Sequence, residues 1–105
     1  MQAEVKKVLK KSLVFVGNPH SDPVMQGICL NHVASLYKSE GKSWKVARYS
    51  LKGVEIVQQH LHGAGVSRRE RQEVATLLAV LLIFSKNSLL SIMRQHQNKT
   101  LQTYF

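Results

Sequence analysis

Cys29 and His32 stand one helical turn apart, and His60 and His62 stand two residues apart. A thiolate beside an imidazole is material for nucleophilic catalysis when the two lie within hydrogen-bond reach. With His60 and His62 the same pair could also supply four tetrahedral zinc ligands. Neither chemistry is carried further by the chain. Residues two apart on a helix do not share a face, and structural zinc sites with a single cysteine are uncommon. A buried Cys beside a half-exposed His accounts for positions 29 and 32 more simply. The six carboxylates are spread along the chain. Glu70 and Glu73 are one turn apart, but a capping role accounts for Glu70. Gly63-Ala64-Gly65 lacks the preceding strand and the following Lys-Ser/Thr of a phosphate loop. The expectation is a protein without catalytic residues, metal or cofactor.

The cations form patterns that carry more. Lys6, Lys7, Lys10 and Lys11 cluster near the start of the chain. Lys42, Lys45, Arg48 and Lys52 recur at spacings of three and four, which makes a row along one helix, with Trp44 and Tyr49 interleaved. A phosphate-tracking basic row beside aromatic rings is the arrangement by which single-stranded nucleic acid is held. The register puts Trp44 on the apolar stripe of that helix and Tyr49 off it, so Tyr49 is the expected stacking residue. Arg68, Arg69 and Arg71 fall in the first turn of a predicted helix, where the macrodipole disfavours cations by a few tenths of a kcal/mol each. Stability alone would place acids there. Arginine forks pair bidentately with phosphate, and N-terminal amides add donors, so the cluster reads as an anion contact.

The elements that must position these groups are helical. Val5, Val8, Leu9, Leu13 and Val16 mark the apolar face of a helix over 2–16, ended by Gly17-Asn18-Pro19. After His20-Ser21, Asp22 as N-cap and Pro23 at the first position predict a second helix to Lys38, burying Val24, Ile28, Val33 and Leu36. Ser43 is expected to cap a third helix over 44–62, with Trp44, Ala47, Leu51, Val54, Val57 and Leu61 on its buried stripe. Gly53 inside it costs on the order of 1 kcal/mol relative to Ala, and suggests a close helix approach. Gly63-Ala64-Gly65 ends that helix. Ser67-Arg68-Arg69-Glu70 then reads as a capping box with reciprocal bonds between Ser67 and Glu70.

Val74–Phe84, VATLLAVLLIF, is apolar but for one Thr, and a helix apolar all round is buried on all sides. Spanning a bilayer takes roughly 20 apolar residues, and here Glu70, Arg71 and Glu73 close one end and Lys86 the other. The stretch is therefore expected to be the core helix, over 67–84, and no transmembrane segment is expected. A break at Ser85-Lys86-Asn87 and a fifth helix over 88–97 follow, then a tail over 98–105 in which Leu101, Tyr104 and Phe105 could dock. The predicted fold is all-α: one domain over 1–97, a compact bundle of about five helices around a buried central helix.

Fifteen Lys and Arg against six Asp and Glu give +9 with histidines neutral in 105 residues, and the sequence pI is near 10.1. Such an excess favours polyanionic partners. One Cys excludes an internal disulfide and suits a reducing compartment. With no secretory signal, the expected location is intracellular, cytoplasmic or nuclear. The predicted function is nucleic-acid binding through the phosphate backbone and largely independent of sequence, RNA being favoured over DNA. The predicted site is Lys6, Lys7, Lys10, Lys11, Lys42, Lys45, Arg48, Tyr49, Lys52, Arg68, Arg69 and Arg71. The alternative is an adaptor that sets its basic surface and a groove between helices against an acidic protein. Phe84-Ser85-Lys86 with Leu90 resembles a short piece of the helical nucleoprotein-binding domain of filoviral transcription activators, which would imply a protein partner. An uncovered apolar stripe would favour self-association as a homo-oligomer, and a Lys-rich first helix could also lie on an anionic membrane.

Overall fold

The computed structural model describes residues 3–18, 22–63 and 65–104. Among the described residues it contains four α-helices and no strand: α1 Ala3–Gly17, α2 Pro23–Ser39, α3 Ser43–Leu61 and α4 Arg68–Tyr104. The sequence boundaries of the first three lie within a residue or two of these. Asp22 caps α2 as expected, its Oδ1 accepting from the Val24 N–H at 2.9 Å, with Pro23 following. Pro19, His20, Ser21, Ala64 and Phe105 lie outside the described residues, as do the side chains of Val5, Val16, Leu101 and Tyr104.

Four local expectations are corrected. Ser43 does not cap α3: it is the first helical residue, Lys42 precedes it without a side-chain bond, and the Ser43 hydroxyl meets Ser91 Oγ at 3.2 Å on α4. The capping box is half present. Ser67 Oγ accepts from the Glu70 N–H at 3.2 Å, but the Glu70 carboxylate turns to His60 Nε2 at 3.1 Å. The predicted fourth and fifth helices are one helix of 37 residues. The serines read as a break bond backwards within the helix instead, Ser85 Oγ to Leu81 O at 2.9 Å and Ser88 Oγ to Ser85 O at 3.0 Å. With their hydroxyls satisfied there, they need not interrupt it. Asn98–Tyr104, expected as an irregular tail, continues the same helix.

α3 runs antiparallel to α4, since Ser43 meets Ser91, Ser50 meets Ser85 and His60 meets Glu70. α2 packs on α3, and α1 packs on α2. Two apolar clusters hold these layers. Leu9, Val33, Ala34, Tyr37 and Val46 join α1, α2 and α3, with Tyr49 and Phe84 against them. Val57, Val74 and Leu81 join α3 to α4, with Val24, Leu77 and Leu78 against them. Small residues bring the backbones together. A β-carbon at Gly27 would lie 2.5 Å from Val57 Cγ2, and one at Gly53 would lie 2.9 Å from Leu81 Cδ2.

The compact bundle with a fully buried central helix is also corrected. The molecule measures 57 × 32 × 19 Å, with a radius of gyration of 15.9 Å, against about 13 Å for a compact chain of this length. α4, about 55 Å long at 1.5 Å per residue, sets the longest dimension. Val74 and Leu81 are buried, but Leu82 and Ile83 are 47% and 58% exposed. The reason is geometric: α2 and α3 cover one side of α4, and α1 packs on α2 without closing the other. Because α4 runs on past Lys86, that residue does not end the apolar stretch. An 18-residue window within Arg68–Lys99 has mean hydropathy 1.8 with 17% of it buried, so by length and composition this helix could cross a membrane.

Candidate nucleic-acid interface

The α3 row is presented to solvent because the buried side of α3 is set by Val46, Ala47, Ser50, Gly53 and Val57. Lys42, Lys45, Arg48 and Lys52 are all exposed. The heads of Lys42, Lys45 and Arg48 lie near two stacked tyrosines. The Tyr37 and Tyr49 rings are 5.5 Å apart and tilted by 10°. Lys45 Nζ lies 5.0 Å and Lys42 Nζ 6.0 Å from the Tyr37 ring centre, and the Arg48 guanidinium 5.9 Å from that of Tyr49. Such contacts hold cations at an apolar surface without neutralising them. Burial, and then the neighbouring Tyr49, push the Tyr37 phenol above its ordinary value.

The two aromatic residues exchange the burial expected of them. Tyr49 is half-buried, stacked on Tyr37 and packed against the first apolar cluster, so its ring is already engaged. Trp44, expected in the core stripe, is 71% exposed. It lies one turn before Arg48 on α3 and between Lys42 and Lys45 in the chain. The signal that could have placed it was small size. Ser50 and Gly53 mark the side of α3 that approaches its neighbours, whereas Trp44 and Leu51 lie away from that side.

Lys6, Lys7, Lys10 and Lys11 are exposed on α1. Leu9, between them, is buried in the cluster that contains Tyr37 and Val46. α1 and α3 thus flank one apolar cluster, with α1 itself packed on α2. Arg68, Arg69 and Arg71 do not join them. The His60–Glu70 contact sets the start of α4 level with the end of α3, which is 15 residues, about 22 Å of helix, from Lys45. The predicted residues thus form two patches. Among the described residues, Arg69 alone of these cations has a carboxylate within 4 Å, Glu73 at 3.7 Å. Arg71 Nε donates to Val66 O at 3.4 Å.

The remaining candidates resolve as follows. Cys29 is a free, half-buried thiol whose pKa is raised by burial, and His32 is exposed. No group of three or more potential metal ligands occurs among the described residues. A groove of about 370 Å³ lies between the α2–α3 turn and α4, lined by Lys38, Lys42, Phe84, Asn87 and Ser91 among others. Lys38 Nζ sits 5.4 Å from the Phe84 ring centre. Comparison with family models, curated proteins and solved structures finds no match for this chain.

Proposed function

We propose that this protein binds nucleic acid, RNA in preference to DNA, through phosphate contacts from the basic row of α3 and the lysines of α1. The observation that carries the reading is Trp44. A tryptophan that is 71% exposed leaves a large apolar ring in water, and this one is set among Lys42, Lys45, Arg48 and Lys52. Stacking a base on it would remove that ring from water while the row neutralises the flanking phosphates, the combination used for single strands. Binding is largely independent of sequence, since one ring and a row of cations offer no pattern for reading base edges. The exposed lysines of α1, on a helix packed against α2, add further phosphate contacts. Arg68, Arg69 and Arg71 form a second contact region about 22 Å away by helix rise.

Trp44 is the single tryptophan of the chain, so its fluorescence reports on the site directly. Titration with single-stranded RNA should quench it, with affinity falling steeply as salt is raised because counterions are released. Duplex RNA and DNA titrated in parallel rank the substrates. Binding without quenching removes the stacking role. An absence of salt-dependent binding to all three, together with a co-purifying acidic protein, would replace this reading by the adaptor, with the groove beside Phe84 as its docking place.

A further inference from the structure

We propose that a second copy of this chain covers the exposed face of α4, the two helices pairing antiparallel. Ala75, Ala79, Leu82, Lys86, Leu89 and Met93 are all exposed, and their spacings alternate four, three, four, three, four. That is the spacing of a coiled-coil seam, which keeps one narrow line of side chains facing a partner helix. Ile83 and Leu90 flank the seam and are 58% and 40% exposed. The seam lies about 100° around α4 from Val74, Leu81, Ser85 and Ser88, which are buried against the rest of the protein.

The seam itself selects the orientation. In a parallel pair each residue meets its own copy, so the two Lys86 ammonium groups would face each other and Ala would meet Ala. In an antiparallel pair centred between Leu82 and Lys86, Ala75 faces Met93, Ala79 faces Leu89 and Leu82 faces the Lys86 stem. A small residue then meets a large one in the outer layers, which is how facing positions fill space. The Lys86 stem covers Leu82 while its ammonium reaches solvent. The same pairing lays the start of each α4 along the part of its partner beyond Ser91, where α3 no longer runs alongside. Overlap from residue 68 to 100 is about 50 Å long and 11 Å wide, near 1,100 Å² for both chains, which reaches the roughly 1,000 Å² expected of a biological interface.

A bilayer fits this face less well. Sinking α4 across one would carry the α3 cations Lys45, Arg48 and Lys52 with it, at about 2.5–3.5 kcal/mol each near the centre. The pairing does not depend on the nucleic-acid reading. The net charge of +9 opposes assembly, so dimerisation should strengthen as salt is raised, opposite to RNA binding.

Sedimentation of the full chain over a range of concentrations and two salt levels tests this. The expected result is a monomer–dimer equilibrium favoured by salt. Leu89→Glu, which sets a carboxylate against Ala79 of the second copy with no cation facing it, should weaken it at least about tenfold with helicity unchanged by circular dichroism. In a Cys29→Ser background, Ala79→Cys and Leu89→Cys chains should form a disulfide with each other when mixed, and Ala79→Cys alone should not. A monomer at every concentration, a dimer indifferent to Leu89→Glu, or cross-linking of Ala79→Cys to itself would each overturn the proposal. So would a solution monomer that attaches to phosphatidylglycerol vesicles and is released by Leu89→Glu.

Discussion

Gly53 and Leu81 meet where α3 crosses α4, and a β-carbon on Gly53 would lie 2.9 Å from Leu81 Cδ2 and 3.4 Å from Leu30 Cβ. Leu81 and Leu30 are both fully buried, so neither can swing into solvent to make room. Gly53→Ala sets a helix-propensity gain of about 1 kcal/mol against overpacking of about 1–3 kcal/mol. The expected outcome is net destabilisation by urea unfolding. Gly27→Ala, with 2.5 Å to Val57 Cγ2, should cost more. A gain in stability at either position would mean that the helices are not this close.

Trp44 and Tyr49 separate binding from folding. Trp44→Ala removes an exposed ring and should leave stability within about 0.5 kcal/mol, while weakening single-stranded RNA binding by about 1–3 kcal/mol. Tyr49→Ala removes the ring stacked on Tyr37 and should destabilise by on the order of 2 kcal/mol, part of a large-to-small core loss. Chemical denaturation beside an RNA titration reads both. The reverse pattern would restore Tyr49 as the stacking residue.

How much of this was legible in the sequence depends on what fixed each feature. Asp22-Pro23 and Gly63-Ala64-Gly65 act locally, and the helix start and helix end they predict lie within a residue of the observed ones. Gly53 was legible as a close approach because a glycine inside a strong helical pattern has few other uses. The face of α3 was not, because periodicity favoured the large residues Trp44 and Leu51, while contact with α2 and α4 needed the small ones. Ser85-Lys86-Asn87 failed as a stop because Ser85 and the following Ser88 each found a carbonyl in their own helix. The burial of Val74–Phe84 failed for want of surface. Hydropathy says that a helix needs cover, but not whether the same chain supplies it. The cationic rows were legible as rows, but not that the arginines sit a helix length from the lysines.

The three arginines at the start of α4 give opposite signs to two measurements. All are exposed, and the one ion pair that these arginines make among the described residues, Arg69 with Glu73, is between side chains 92% and 70% exposed. Such a pair contributes between zero and about 1 kcal/mol, and each cation at a helix N-terminus opposes the dipole by a few tenths. Replacing Arg68, Arg69 and Arg71 by Ala should therefore leave thermal stability unchanged or slightly higher. RNA affinity should fall, and the slope of log affinity on log salt should become shallower by up to about three phosphate contacts. An unchanged slope would remove these residues from the interface; unfolding would assign them a structural role.

Tyr37 makes stability depend on pH at the alkaline end. Its ring is buried, and burial followed by Tyr49 raises its pKa in the folded state above the ordinary value of 10.0. The folded protein thus holds the phenolic proton more tightly than the unfolded chain does. Below about pH 10 both states are protonated, and the contribution is fully present. As pH rises from about 10 through the folded-state pKa, the unfolded chain releases its proton first. It then binds fewer protons than the native state, and unfolding free energy falls with pH. Lysines titrate in the same region, so the informative quantity is the difference between the protein and Tyr37→Phe. Phenylalanine keeps the aromatic ring beside Tyr49 and beneath Lys45 but has no proton to lose. Melting temperatures measured from about pH 8 to 11 should fall more steeply for the native chain than for Tyr37→Phe, the two curves parting only above about pH 10. Parallel curves throughout would mean that the Tyr37 hydroxyl reaches water in the folded protein, and that the platform beneath Lys42 and Lys45 is more open than the buried ring implies.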